Sequence, residues 1–428
     1  MINFSSFENF ERQFCRDYPL SLYSCASGCI YNNHFHQHIL LQREWKKFDG
    51  QSIPKITALC FYGIFLCSII LGILLAILNT SRFIFLSMVN FSSNSYKHSD
   101  VGAVGYSTCK TSFKRLVKAS PIHNDDYVVI YNDYIMYGQS SEEMKLSDFI
   151  SIKDFGKFEN LVNLCRIFSR NVRDVCKLAK VFGGSGSLAR YAGARVASDS
   201  VHEFLMSCLV SKLRPKQLFA GATNERYGIS LSRVCKEFGV HTICIPHGVS
   251  PRLTLPEGIF GDEYYCLSKS EIDYLSISYP NVDFRLCKKF LRLIYSNSEM
   301  PNVNSPKIVV ATCSSYVEGC QRIIDSVSSY TSEFSIRLHP NDTADMYSLS
   351  ADTYIAELMS DVVSGKILIT KLSSIGIEAA YNGSRVIMVL DSFKDYFDYY
   401  FLYRGVVEEG FDIVHAVTEI PDLLDHYA

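Results

Sequence analysis

From Asp126 onward the chain alternates short apolar runs with amphipathic stretches. "DYVVIY" (126–131) reads as a strand, and residues 161–181 carry apolar side chains at about every third or fourth place, the period of a helix. The same texture continues through "KQLFAG" (216–221), a helical stretch from Arg226 to Phe238 that stops at Gly239, "VHTICIPHG" (240–248), "DEYYCLS" (262–268) and a helix beginning near Ser270. Residues 286–306 interrupt it with a stretch that turns rich in proline and asparagine. A second series follows: "KIVVAT" (307–312), a helix over 316–328, "FSIRLHP" (334–340), a helix near 354–359, "KILIT" (366–370), a helix over 373–381 and "RVIMVL" (385–390).

Strands that alternate with helices call for parallel sheets covered on both faces. Two such series predict an α/β protein with two Rossmann-like, doubly wound domains facing a cleft. The first spans 90–285, the linker 286–306, and the second 307–428. Ligands of these sheets bind outside the carboxyl ends of the strands, so residues at those ends are the functional candidates. Residues 91–125 read as a loop-rich connection.

One segment breaks the pattern. Ile56–Leu78 runs 23 residues without a charge. As a helix it would reach about 35 Å, against a hydrocarbon core of about 30 Å. More than fifty residues precede it, Glu8, Glu11 and Asp17 among them, so it is not a signal peptide. A second apolar run, Phe83–Val89, follows Asn79–Arg82. Arg43, Lys46, Lys47 and Lys55 precede the segment and Arg82 and Lys97 follow it, which keeps the N-terminus cytosolic. The expectation is a membrane helix over 56–89, or a hairpin broken near Asn79–Arg82 with both ends in the cytosol. Residues 1–55 read as a polar segment without clear period; their Cys25, Cys29, His34, His36 and His38 match no zinc spacing closely.

Composition narrows the rest. Of 428 residues 48% are hydrophobic and 13% aromatic, which excludes wholesale disorder. The formal charge of −2 gives no reason to expect nucleic acid as a partner. Fifteen cysteines, an odd number without framework spacing, suit a reducing compartment. The expected location is the cytoplasmic face of the inner membrane.

Two strand ends of the second series concentrate polar groups. "RLHPND" places Arg337, His339 and Pro340 at one, and "TKLSS" places Lys371, Ser373 and Ser374 at another. Serines at a helix start are caps or anion ligands, and Glu378 lies one helical turn beyond Ser374, where it could hold a ribose. In the first series Glu225-Arg226 follows one strand and His247-Gly248 ends the next. Glu225 is a candidate base for an acceptor hydroxyl, with His247 the alternative. His339 could donate to a phosphate oxygen as charge develops on a leaving group. "GGSGS" (183–187) lacks the Lys-Ser/Thr of a phosphate loop and reads as a turn.

With these residues in place, roughly 215–390 resembles the two-domain (GT-B) glycosyltransferases that build bacterial capsules and lipopolysaccharide. His339-Pro340 and Ser373-Ser374 look like the His-Pro and Ser-Ser/Thr motifs with which sialyl- and polysialyltransferases hold the phosphate of a CMP-sugar. The set Ser373, Ser374, Glu378 and Ala379 also looks like a stretch of Kdo transferases and CDP-glycerol glycerophosphotransferases. The sialyltransferases' acidic-acidic-glycine motif is matched cleanly only at Glu408-Glu409-Gly410, on the other side of His339. The resemblance implies a membrane-associated enzyme that moves sialic acid or Kdo from a CMP-sugar to a glycolipid or lipid-linked oligosaccharide. It implies no metal and no cofactor beyond the nucleotide-sugar co-substrate. The alternatives are a CDP-glycerol or ribitol phosphotransferase, a UDP-sugar GT-B enzyme, and a 2-epimerase.

Overall fold

A computed structural model describes residues 4–17, 41–52, 58–108 save 91–100, 110–120, 126–134, 144–181, 186–221, 227–245, 259–295, 305–403 and 411–427. The N-terminal helices are α1 (Phe4–Asp17), α2 (Leu41–Phe48) and α3 (Ala58–Asn90). The first domain then runs β1 (Ala103–Ser107), α4 (Lys110–Ala119), β2 (Tyr127–Tyr131), α5 (Phe158–Val181), α6 (Gly186–Leu213), β3 (Gln217–Gly221), α7 (Gly228–Phe238), β4 (His241–Ile245), β5 (Glu263–Tyr265), α8 (Lys269–Ser278), β6 (Asp283–Arg285) and α9 (Lys288–Tyr295). The second runs β7 (Ile308–Ala311), α10 (Val317–Tyr330), β8 (Phe334–Arg337), β9 (Tyr354–Ile355), β10 (Ile367–Thr370), α11 (Ile375–Tyr381), β11 (Arg385–Val389), α12 (Phe393–Asp398), β12 (Phe411–Val414) and α13 (Ile420–Tyr427).

Each domain is built on a six-stranded sheet, ordered β2-β1-β3-β4-β5-β6 and β12-β11-β10-β7-β8-β9. Every strand pair in both is parallel. The two-domain α/β expectation is therefore met. The central strands are buried on both faces, as in Ile367–Thr370, which is why they read as continuous apolar runs.

Several boundaries differ from expectation. β1 lies in the stretch read as loop because its glycines dilute the apolar signal. A Cβ at Gly105 would collide with Tyr127 Oη on β2, so glycine is what lets the two strands pair there. Residues 354–359, expected as a helix, begin with the short edge strand β9, which pairs with β8. The linker is shorter than 286–306: α9 buries Phe290, Leu291, Ile294 and Tyr295 in the first domain's core. Residues 4–17 and 41–48 are not a free polar segment either. Phe7, Phe10 and Phe14 lie at helical spacing and bury against Phe397, Tyr400 and Phe401 of the second domain. The rings of Phe7 and Trp45 lie 5.3 Å apart, and Tyr400 Oη donates to Glu11 at 2.7 Å.

The apolar segment is one unbroken helix of 33 residues, about 50 Å long. The helix continues through Asn79–Arg82, so the expected hairpin does not form. Its buried positions, Phe61, Phe65, Ser68, Gly72, Ala76, Phe83 and Ser87, make a single stripe along α6. Small residues bring the two backbones close. A Cβ on Gly72 would fall 2.6 Å from the Ala194 carbonyl oxygen, and one on Gly193 2.7 Å from Ser68 Cβ. Most other side chains of α3 are exposed and apolar, among them Leu66, Ile70, Leu71, Leu74, Leu78 and Phe85.

Gly72→Val forces α3 off α6. It should cost about 1–3 kcal/mol, as overpacking does, and lower Tm in detergent. Ile70→Val, on the exposed flank, serves as the control and should leave Tm unchanged.

Candidate functional site

In the second sheet the chain starts at β7, moves outward through β8 to β9, then returns across β7 to start β10. This is the 3-2-1-4-5-6 order, and the reversal between its first and fourth strands opens a crevice at their carboxyl ends. The loops after β7, β8 and β10 meet there, and all three carry polar side chains.

A buried carboxylate holds two of these loops together. Asp342 accepts from Thr312 Oγ1 at 2.7 Å and from Tyr347 Oη at 2.8 Å. Thr312 Oγ1 in turn accepts from the His339 N–H at 2.9 Å. The Asn341 N–H donates to His339 Nδ1 at 3.2 Å, so the neutral imidazole carries its proton on Nε2. His339 is half-buried and Pro340 exposed. Across β7, Cys313 Sγ reaches the Leu372 carbonyl at 3.8 Å and ties the β7 loop to the β10 loop.

Capping does not account for the two serines. Ser374 occupies the N-cap position of α11 with helical backbone angles and no side-chain cap bond, and it is exposed. Ser373 Oγ accepts from the Ile375 N–H only at 3.5 Å. Arg337 is largely engaged: it donates to the carbonyls of Ala356 at 2.9 Å and Glu357 at 2.6 Å, closing the turn beyond β9.

Lys371, between β10 and the serines, is fully buried and belongs to the framework. It pairs with Asp391 at the end of β11 and with Asp395 of α12, the latter at 2.9 Å. Asp391 also takes Arg322 of α10 at 3.1 Å. Against the burial that opposes ionisation, the Lys371 and Arg322 bonds hold the Asp391 carboxyl below its usual range. A Cβ at Gly319 would fall 2.5 Å from Lys371 Cε, so the lysine stem lies across the start of α10. An exposed cation at this edge is Lys394, which no motif in the sequence singled out. It donates to the Ser315 carbonyl at 2.9 Å and lies 3.8 Å from the Tyr316 ring centroid.

Glu378 lies where the domains meet. Burial raises its carboxyl, and the charges of Arg115 and Lys118 on α4 and of Arg337 pull it back in part. Beside it Asn382 Nδ2 donates to the Tyr295 carbonyl at 2.6 Å, and the Tyr295 and Tyr381 rings lie 6.0 Å apart. The helix that follows the serines thus touches the first domain.

The first sheet reverses between β1 and β3. A buried polar cluster occupies that place. Asn132 Nδ2 donates to Tyr106 Oη, which lies 2.8 Å from His202 Nε2. Burial first, and Tyr227 next, raise the Tyr106 hydroxyl well above its ordinary value, keeping it neutral. The His202 ring stacks on Tyr227 at 4.2 Å. None of the four was singled out in the sequence: Tyr106 stood in the apparent loop and His202 in a helix buried all round. Glu225 and His247, together with Glu408-Glu409-Gly410, lie outside the described residues. Among the described residues no group of three or more His, Cys, Asp or Glu side chains is arranged to hold a metal.

No known family profile matches the chain, and no curated protein matches it in sequence. Similar solved structures include the UDP-GlcNAc 2-epimerase of Neisseria meningitidis bound to UDP-GlcNAc, at 12% identity and TM-score 0.41, covering 76% of this chain and 90% of that one. Another UDP-N-acetylglucosamine 2-epimerase gives 10% identity and TM-score 0.42, covering 77% and 87%. The E. coli heptosyltransferase WaaC with ADP-2-deoxy-2-fluoro heptose gives 9% and 0.35, covering 76% and 100%. The two-sheet fold of this chain rests on its own strand pairings.

Lys371→Met should cost about 3–5 kcal/mol, because it leaves the buried Asp395 without its cation and Asp391 with Arg322 alone; chemical denaturation measures it. The lowered Asp391 value means that its stabilisation is complete above the ordinary carboxylate range, near pH 4, and is lost as pH falls through the folded value. Asp391→Asn should therefore flatten the acid limb of a stability–pH profile. Glu378 has the opposite sign: its raised carboxyl makes ionisation unfavourable in the folded state. Glu378→Gln should raise Tm at pH 7 and leave it unchanged in acid.

Proposed function

We propose that the chain is a membrane-attached glycosyltransferase that uses a nucleotide-activated sugar, with CMP-linked sialic acid or Kdo as the first donors to test. The observation that carries the reading is the convergence of His339, Ser373 and Ser374 on the switch-point crevice of the second sheet. The neutral His339 carries its proton on Nε2, Ser374 makes no side-chain cap bond and Ser373 accepts from the Ile375 N–H only at 3.5 Å, which suits an anionic group. In this reading the serines hold the donor phosphate, Glu378 takes the ribose, and Lys394 adds charge at the edge. The acceptor lies against the first domain, where Glu225, or His247 in its place, takes the proton of the acceptor hydroxyl. The hydroxyl oxygen attacks the anomeric carbon, the bond from that carbon to the phosphate oxygen breaks, and His339 Nε2–H stabilises the charge on the departing nucleotide.

Attachment rests on α3, the one helix among the described residues long and apolar enough to cross a membrane. It is docked along α6, which buries Asp199, His202 and Glu203. A crossing orientation would draw those groups into hydrocarbon at several kcal/mol each. In our reading α3 lies along the membrane surface, apolar flank inward.

Thermal stabilisation by CMP, CDP, UDP and GDP, measured side by side, tests the donor. A ligand at one hundred times its Kd stabilises by about 2.7 kcal/mol. Selective stabilisation by CMP is expected. CDP alone moves the assignment to an alcohol-phosphate transferase, UDP or GDP to a hexose transferase or epimerase, and no stabilisation by any sinks the nucleotide-sugar reading. His339→Ala should lower turnover at least about tenfold with Tm unchanged.

A further inference from the structure

A recess of about 520 Å³ lies between α3, α5 and α6, walled by Ile73 and Ile77, by Leu164 and Phe168, and by Ala197 and Val201. Its volume falls in the range of small-molecule sites, about 300–1,000 Å³. Its polar groups are almost all hydroxyls, and that of Ser200 is taken up by the Val196 carbonyl at 2.6 Å and by Asn171 at 3.0 Å. Such walls recognise no headgroup; they suit a hydrocarbon chain. The mouth opens onto the exposed apolar flank of α3, where Ile77 and Leu78 are 56% and 66% exposed. The apolar surface continues over the start of α5, where Phe158 is 79% exposed. Cations neighbour the wall residues along the chain: half-buried Arg82 beside Ser81, exposed Arg166 beside Cys165, and exposed Lys157 two beyond Phe155. Of the acids in these stretches Glu159 is exposed, while Asp154 is paired with Lys212 and Asp199 is buried.

We infer that this recess takes the apolar tail of the lipid-linked acceptor, a single long chain whose head carries a phosphate. The inference rests on the transferase reading and deepens it by assigning the acceptor's tail a place. An uncharged helix flank meets lipid rather than water, so a chain can enter from the bilayer without crossing a polar surface. The basic residues that neighbour the walls along the chain complement an anionic head. The helix α6 that lines the recess with Ala197 and Val201 also carries His202 of the first domain's strand-end cluster, so recess and acceptor domain share one rigid element.

The full chain, exchanged from detergent into amphipol, is titrated calorimetrically with farnesyl phosphate and dodecyl phosphate, and with inorganic phosphate as the head alone. Saturable binding of one chain per protein is expected for the first two and none for phosphate. Ser81→Trp and Ala197→Phe, which fill the recess from opposite walls, should each weaken binding about tenfold, a 1.4 kcal/mol change. Flotation with phosphatidylglycerol vesicles, and stabilisation by CMP, should be unchanged in both. Absence of saturable binding, or variants that bind like the parent, overturns the inference. So does loss of flotation in step with loss of chain binding, which would make the recess part of a general bilayer contact. Should Ala197→Phe fail to fold, the exposed Ser81→Trp decides. Chain binding without nucleotide stabilisation would leave the recess standing and remove the nucleotide-sugar reading.

Discussion

The pairing of β7 with both β8 and β10 is the constraint on which the candidate site depends. Because all three strands are parallel, their carboxyl ends share one edge, and residues more than thirty positions apart are brought to it without long loops. The sequence reversal at β7 leaves the crevice uncovered by a crossover helix. Thr312 then serves both neighbours: it fixes the backbone that presents His339 and stands beside the cysteine that reaches toward the serine loop.

Beneath the site, charge is used as framework. Lys371, Asp391, Asp395 and Arg322 join the ends of two strands to two helices, and Lys371 is buried too deeply to meet a ligand. A buried ion network specifies geometry when every charge is paired. Among the described residues, the surface-facing groups near the crevice include a histidine, two hydroxyls and Lys394. The helix behind the serines carries Glu378 and Asn382 to the first domain, so the crevice of the second sheet and the first domain are coupled by one short element.

Legibility followed the signal each element leaves. The strands 308–311, 334–337, 367–370 and 385–389 were readable because burial on both faces makes apolar runs bounded by turns. β1 was not, since Gly102 and Gly105 serve close contacts with β2 and lower the apolar count. Long α6 was missed because a helix buried on nearly all sides has no polar face to give it a period. The linker was drawn too early because Lys288, Lys289 and Arg292 mask the buried face of α9. His339 and the serines were legible as motifs at strand ends; Tyr106, Asn132 and His202 were not, because each is ordinary in its own segment.

The amino-acid order by itself determined the two parallel-sheet domains, the strand ends that bear polar residues and the presence of a long uncharged helix, since all three depend on local periodicity and composition. Tertiary structure alone decided that this helix runs unbroken along α6, that Lys371 is framework, that the neutral His339 ring carries its proton on Nε2, and that an apolar recess opens beside the helix. These depend on which distant backbones approach within a few ångströms, and the glycines at 72, 105, 193 and 319 permit those approaches without announcing their partners.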